Sequence, residues 1–269
     1  MHYFIFPEKD STIFEASSSL NSGMDEVLEI RKNVSDTGAS VDVSRILIKF
    51  DTTFFQEASA SGLIHQTGSR AAKYFLNLYD ANPKALATSQ SLYAYPVSGS
   101  WDMGTGNSYD NPQTADGCSW KYRYNETNGT LWASGSGAED GAGGVWYSSS
   151  IAPAASASLN HKSQDLKIDV TGTVNAWLNG TIINDGFLVK RSGSVGNNHP
   201  SASEGNTDRL GSFSFFSSNT NTIFPPTLEA VWDDSAWSTG SLDALSSSNL
   251  EDSVLYMKGL RKEYKENSR

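Results

Sequence analysis

Short apolar runs recur along the chain, separated by turn-forming residues such as Gly, Asn, Ser and Asp. The runs are HYFIF, STIFE, VLEIRK, RILIKFD, KYFLNLYD, SLYAYPV, DLKIDV, GFLVKR, SFSFF and TLEAVW. Within RILIKFD, Ile46, Ile48 and Phe50 alternate with Leu47 and Lys49, as expected for a strand with one buried face. The pattern predicts an all-β fold in which antiparallel sheets stack as a jelly-roll-like β-sandwich.

One segment has helical spacing instead. Val170, Val174, Trp177 and Leu178 follow each other at intervals of four, three and one, and Gly180 stands where a C-terminal cap is expected. This spacing predicts one short amphipathic helix after the strand that ends at Val170. We expect its apolar side to close one end of the sandwich, with Trp177 as the largest buried side chain.

The middle of the chain, 98–150, combines many Gly, Asn, Ser and Asp residues with aromatic ones. Its aromatic residues are Trp101, Tyr109, Trp120, Tyr122, Tyr124, Trp132, Trp146 and Tyr147. Disordered linkers are poor in aromatic side chains. The composition therefore predicts a long ordered loop excursion that packs on or beside the sandwich.

The sequence predicts three parts: a sandwich domain at 1–234, a Ser-rich linker at 235–249 and a C-terminal segment at 250–269. The last part has two interpretations, an amphipathic helix or a strand, VLYM, followed by a turn. Gly259 in the middle of the run favours the strand. Such a strand would begin a further β module or dock on a neighbouring subunit.

Charge and hydropathy exclude some classes of protein. The 269 residues carry a formal net charge of -10, and the basic residues cluster only near the C-terminus, where acidic residues interleave with them. Nucleic-acid binding needs a concentrated positive face, so we do not expect this chain to bind nucleic acid.

No run reaches the roughly 18 apolar residues of a membrane span. The start, MHYFIF, lacks a signal-peptide pattern, so synthesis in the cytoplasm without secretion is expected.

Catalytic motifs are absent from the sequence: it contains no GxSxG, HExxH or GxxxxGK[ST] pattern, and its four histidines are far apart. We therefore expect neither enzymatic activity nor a cofactor. Acidic pairs formed by folding leave a polysaccharide hydrolase as a remote alternative.

The Asp-rich loop at 102–110 does not match the spacing of a calcium-binding loop, so calcium is not supported. The single cysteine, Cys118, is expected to be a small buried apolar side chain.

The tryptophans of the excursion are the candidate binding residues. Exposed rings stack on sugar faces, while nearby carboxylates bond sugar hydroxyls. The candidate glycan-binding set is Trp101, Asp102, Trp120, Trp132 and Trp146. The alternative is that these indoles form the core of a loop-rich region.

Three segments, PEKDSTIFEASSSLNSGMDEVLEIRK, SRILIKFD and DVTGTVNAWLNGTIINDGFLVK, resemble the β-sandwich modules known as DNRLRE, or disaggregatase-related, domains. The matching positions are Asp10 with Thr12 and Ile13, Ser44 to Asp51, Ser100 to Asp102, Asp169 to Trp177, and Pro226 to Trp232. The resemblance spans roughly Tyr3 to Asp234. It implies a sandwich similar to carbohydrate-binding modules.

Further segments, SWDMGTG, DNPQTADGCSWKYR, GGVWY and FFSSNTNTIFPPTLEAVWDDS, are similar to the version of this module in virion structural proteins of large contractile-tailed bacteriophages, including marine and cyanobacterial ones. The resemblance implies a component of the neck, tail, baseplate, fibre or capsid surface that binds other virion proteins in several symmetric copies. The alternative is a module that binds host-surface polysaccharide. An insertion around 125–144 departs from the pattern and weakens any transfer of a sugar-binding surface.

Overall fold

The computed structural model of the chain describes residues 1–36, 38, 41–82, 89–124, 129–132, 143–159, 165–192 and 204–233, all within the unit Met1–Asp234. The predicted linker at 235–249 and the predicted C-terminal segment at 250–269 lie outside the described residues, as does most of the insertion at 125–144. The described residues form an all-β sandwich of antiparallel sheets, which confirms the predicted fold class.

Ten of the thirteen described strands coincide with predicted apolar runs, and β7, β8 and β9 do not. The strands are β1 (His2–Ile5), β2 (Pro7–Phe14), β3 (Val27–Val34), β4 (Val41–Phe50), β5 (Lys73–Leu78), β6 (Gln90–Pro96), β7 (Tyr122–Tyr124), β8 (Thr130–Leu131), β9 (Ala155–Leu159), β10 (Leu166–Asp169), β11 (Phe187–Lys190), β12 (Gly211–Phe216) and β13 (Thr227–Val231). The helices are α1 (Thr53–Ala60) and α2 (Thr171–Leu178).

Two sheets make the sandwich. The four-stranded sheet has the order β1-β13-β5-β10, and the seven-stranded sheet has the order β12-β3-β4-β11-β6-β9, with β2 also paired to β4. β4 organises the larger sheet, because β2 pairs with it along Ser44–Phe50 and β3 along Val41–Val43, while β11 pairs with its other side. The described part of the excursion adds a two-stranded ribbon, β7-β8.

The main core lies between the sheets and follows the period-2 pattern. Ile46, Ile48 and Phe50 of β4 contribute one face, and Leu76 and Leu78 of β5 contribute the facing layer, all fully buried. Successive strand residues point to opposite faces, so the same alternation sends Leu47 to the far side of the larger sheet. Leu47 is also fully buried, and a second hydrophobic layer covers that side.

The predicted helix is confirmed as α2. Val170 is its N-cap residue, and Trp177 is buried in the main core with its ring centroid 4.7 Å from that of Phe187. The expectation of a single helix is wrong, because α1 follows β4 and buries Phe55 and Ala58. Two buried side chains in eight residues give too weak a helical period to detect in the sequence.

Candidate functional site

The candidate tryptophans of the excursion are mostly buried. Trp101, Trp120 and Trp132 expose 1%, 7% and 2% of their surfaces, whereas Trp146 is half-buried and Asp102 is exposed. The expectation of exposed rings is therefore wrong for three of the four tryptophans. Protein atoms already cover these indoles, so they offer no free face on which a sugar could stack.

Two of the buried indoles have hydrogen-bond partners for their N–H groups. The Nε1 group of Trp101 donates to the carbonyl of Asp185 at 2.9 Å, and that of Trp132 donates to the carbonyl of Ser119 at 2.9 Å. The Lys9 ammonium lies 4.6 Å from the ring centre of Trp101. These contacts fix the excursion against the sheet and pair the indole N–H groups of Trp101 and Trp132.

The outer face of the larger sheet explains this burial. All four residues of β11, Phe187–Lys190, are buried, so this strand is covered on both faces. A sheet buried on both faces shows nearly continuous apolar runs rather than alternation, and GFLVK carries that signal. Cys118 lies in the same layer, fully buried, and desolvation raises the pKa of its thiol to about 12. It is the buried small side chain that the sequence predicts.

Three charged side chains lie beneath this layer, and we name Arg45, Lys190 and Glu204 the buried charge cluster. Arg45 donates from Nη2 and Nε to the two Glu204 carboxylate oxygens at 2.7 and 3.2 Å, and Lys190 Nζ lies 3.1 Å from Oε2. The Arg45 guanidinium is also 4.6 Å from the ring centre of Trp120. The cluster holds the segment that begins at Glu204 onto the sheet.

Electrostatics keep the cluster ionised. Desolvation would raise the pKa of Glu204, but the charges of Arg45 and Lys190 and their hydrogen bonds outweigh it and hold that pKa below its ordinary value. Desolvation lowers the pKa of Lys190 to about 8, with the Arg45 charge acting in the same direction and Glu204 opposing it. This arrangement is a buried network of three charged groups, in which Arg45 and Lys190 both bind the Glu204 carboxylate.

A surface cleft of about 660 Å³ opens on the larger sheet beside β3. Its floor includes Phe14 and Leu20, and its polar wall includes Asp25, Glu29 and Arg31. A pocket of this size with a few convergent polar groups is typical of small-ligand sites. The sequence offered no motif for this cleft, because its walls come from separate turns and strands.

Charges in the cleft are of mixed sign. Burial raises the pKa of Asp25, while the N–H of Ser108, 2.9 Å from Oδ1, favours its charged form. The Arg31 guanidinium lies 5.1 Å from the ring centre of Phe14. Tyr109 stands at the rim with 94% of its surface exposed. The cleft thus combines an exposed ring with carboxylates that accept hydroxyl hydrogen bonds.

Exposed aromatic side chains lie in and beside β1, and we name Tyr3, Phe4, Phe6 and Phe54 the aromatic edge. Phe4 and Phe6 expose 46% and 61% of their surfaces, and Tyr3 stacks on Phe54 at a centroid distance of 4.3 Å. β1 is an outer strand of the four-stranded sheet and, among the described strands, pairs only with β13. The edge therefore presents both backbone groups and apolar side chains to the surroundings.

The outer face beside β1 carries a polar network centred on Glu229. Its carboxylate is bonded by His2 Nδ1 at 2.7 Å, Lys167 Nζ at 2.6 Å and Asn77 Nδ2 at 3.4 Å. Desolvation opposes ionisation of Glu229, but the hydrogen bonds from Lys167, His2 and Asn77 prevail and lower its pKa. This carboxylate is charged and fully engaged, so its role is to brace the outer face of the sheet.

Comparisons with protein-family models and with curated proteins found no match to this chain. The described residues contain no group of three or more His, Cys, Asp or Glu side chains placed to hold a metal ion. Within the same part of the chain, no helix has the length and hydropathy needed to cross a membrane. The aromatic edge and the cleft remain as the two candidate sites.

Proposed function

We propose that this chain is a structural protein of a tailed-phage virion that acts through protein–protein contacts. The observation that carries the proposal is the aromatic edge, an outer strand without Asp, Glu, Lys or Arg that contains Tyr3 and Phe4 and lies beside Phe6 and Phe54. Exposed apolar side chains beside an outer strand favour contact with another protein. The resemblance of the sequence to virion structural proteins supplies the kind of assembly.

Burial of the tryptophans adds support for a structural role. Trp101, Trp120 and Trp132 lock the excursion onto the outer face of the larger sheet. Their buried rings therefore make the sandwich rigid. A rigid scaffold with an exposed apolar edge suits a component that holds neighbouring proteins in fixed positions.

Mass spectrometry of extensively washed phage particles tests this proposal. We expect peptides from 1–234 at a fixed ratio to the known particle proteins, and we expect that ratio to survive high-salt washing because the contacts are apolar. Loss of the chain from washed particles, with full recovery in the lysate, would refute the assignment.

The cleft supports a second candidate function, binding of a host-surface glycan. Tyr109 offers an exposed ring for stacking, and Asp25 and Glu29 accept hydrogen bonds from hydroxyls. Because carboxylates outnumber the single guanidinium of Arg31 in this polar wall, the cleft suits a neutral saccharide better than an acidic one.

A glycan array followed by titration with the best ligand tests this candidate. Tyr109→Ala is expected to weaken binding at least tenfold, whereas Ile223→Ala, at another exposed position, is expected to leave it unchanged. The same mixtures, assayed for new reducing ends, test the remote hydrolase alternative. Silence across bacterial polysaccharides, or equal binding by both variants, would eliminate the cleft as a glycan site.

A further inference from the structure

We infer that the edge of β1 that no other described strand occupies pairs antiparallel with β1 of a second copy of this chain, which joins the two four-stranded sheets into one. This inference deepens the proposed structural function, since it names the partner of the aromatic edge. It follows from backbone geometry, from the chemistry of the strand and from a comparison with two other sheet edges.

The backbone geometry comes first. The N–H of Trp232 donates to the carbonyl of Met1 at 3.1 Å, and the Met1 amine donates to the carbonyl of Trp232. Residues of an antiparallel pair alternate between bonding toward the partner strand and away from it. Tyr3 therefore bonds toward β13, and the N–H and C=O groups of His2 and Phe4 point to the open edge.

Those outward groups set the register of a β1–β1 pair. Hydrogen bonds form when outward-pointing residues lie opposite each other, so His2 of one copy lies opposite Phe4 of the other. A two-fold axis then passes beside Tyr3 and relates the two copies. The outward N–H and C=O groups of each β1 strand are then hydrogen-bonded to the other copy, and the dimer is closed. Further copies cannot add to that edge.

The chemistry of the strand favours a second copy over a charged partner. The run HYFIF contains no Asp, Glu, Lys or Arg in a chain whose net charge is -10. Two copies that met through acidic surfaces would repel each other, but two aromatic strands without acidic residues do not. Pairing also covers Phe4 on one face of the strand and Tyr3 with Phe54 on the other.

Two other outer strands, β12 and β10, are protected in ways that β1 is not. The edge of β12 is capped by its own chain, because Ala81 N–H donates to Ser214 and Phe216 N–H donates to Tyr79, at 2.7 and 3.0 Å. β10 carries Lys167 and an exposed aspartate, the charged residues that discourage strand addition. β1 contains no Asp, Glu, Lys or Arg and no bulge in its pairing with β13, so it lacks the features that discourage strand addition.

Light scattering on the purified full chain tests the inference. At tens of micromolar, the wild type is expected to show twice the 29.1 kDa chain mass. Phe4→Lys places a charge on the edge, and Phe4→Pro removes an outward N–H without touching the β13 ladder; both are expected to give monomers. Ile183→Lys, a matched change at an exposed apolar position elsewhere, is expected to stay dimeric.

Hydrogen exchange supplies the second readout. The amides of His2 and Phe4 are expected to be protected in the wild type and to exchange freely in Phe4→Lys, while circular dichroism shows the same folded sandwich. A monomeric wild type, or a dimer that persists in both Phe4 variants, overturns the pairing. A monomer with protected β1 amides assigns the edge to another occupant and overturns it equally.

The outcome is separable from that of the proposed function. A chain found in washed particles but monomeric in solution would refute the β1 pairing and leave the virion role standing. A dimer that is absent from particles would do the reverse.

Discussion

Glu204 illustrates how single buried charges decide the stability of this sandwich. Its carboxylate accepts hydrogen bonds from Arg45 and Lys190, all three side chains being almost fully buried. Glu204→Gln leaves two cations without their counter-charge, so the free energy of unfolding is expected to fall by about 3–5 kcal/mol. Denaturant unfolding measures this, and Glu57→Gln on the exposed side of α1 is the control. A loss no larger than that of the control would contradict the account.

Asp10 gives the protein a pH dependence of a definite sign. Burial raises the pKa of this carboxyl to about 6 from its ordinary 3.8, although the N–H and hydroxyl of Ser218 bond its oxygens at 2.7 and 2.9 Å. The folded state therefore binds more protons than the unfolded state between those two pH values. The contribution of Asp10 to stability consequently decreases as pH rises through this window and is constant above it.

Unfolding of wild type and Asp10→Asn at several pH values isolates this contribution. The free energy of unfolding of the wild type relative to Asp10→Asn is expected to drop by up to about 3 kcal/mol between pH 3.8 and 6. Groups common to both proteins cancel in the difference. A difference that is flat with pH, or that rises, would show that Asp10 is ionised at no cost in the folded protein.

Trp101 is expected to act as a core residue. Removing its ring by Trp101→Ala is expected to cost about 3–5 kcal/mol of unfolding free energy, because the ring is buried and its Nε1 group is bonded. Tyr109→Ala removes an almost fully exposed ring of the same excursion and should change stability by less than about 0.5 kcal/mol. Thermal or urea denaturation compares the two, and equal small effects would mean that the excursion is not packed on the sheet.

At the scale of elements, backbone conformation at two glycines gives opposite predictions. Gly186 precedes β11 with φ of 93°, and a Cβ there would meet the Ile48 carbonyl oxygen at 2.3 Å. Gly186→Ala is therefore expected to destabilise the protein by at least about 1–3 kcal/mol. Gly172 lies in α2 with open space around it, so Gly172→Ala is expected to stabilise it by about 0.5–1 kcal/mol. The same sign for both variants would contradict this explanation.

The two helices show what local pattern can and cannot reveal. α2 could be predicted, because Val174 and Trp177 recur at helical spacing and Gly180 follows with a φ of 69°. α1 could not, because Phe54 is exposed while its neighbour Phe55 is buried, and adjacent aromatic residues show no period. The ribbon β7-β8 was also missed, since strands of three and two residues have no alternation to detect.

At the scale of the whole molecule, contacts between distant segments limit what sequence can predict. Alternation along β4 and β10 predicts a sandwich, and the structure confirms it. The second hydrophobic layer depends on Trp101 and Trp120 meeting Leu188, which lies far along the chain, so their burial could not be inferred from composition. The run HYFIF predicts a strand, but its position in the sheet does not follow from its sequence. β1 pairs with β13 and stands at the end of the described strand order of the four-stranded sheet.

A density map of intact phage particles tests the central claim, that this sandwich works by contacting other proteins. The account predicts density for Met1–Asp234 in several symmetry-related copies, with the aromatic edge of every copy covered by a neighbour. A map at side-chain resolution that accounts for all particle proteins without this sandwich would contradict the claim. So would a map that shows β1 open to solvent in every copy.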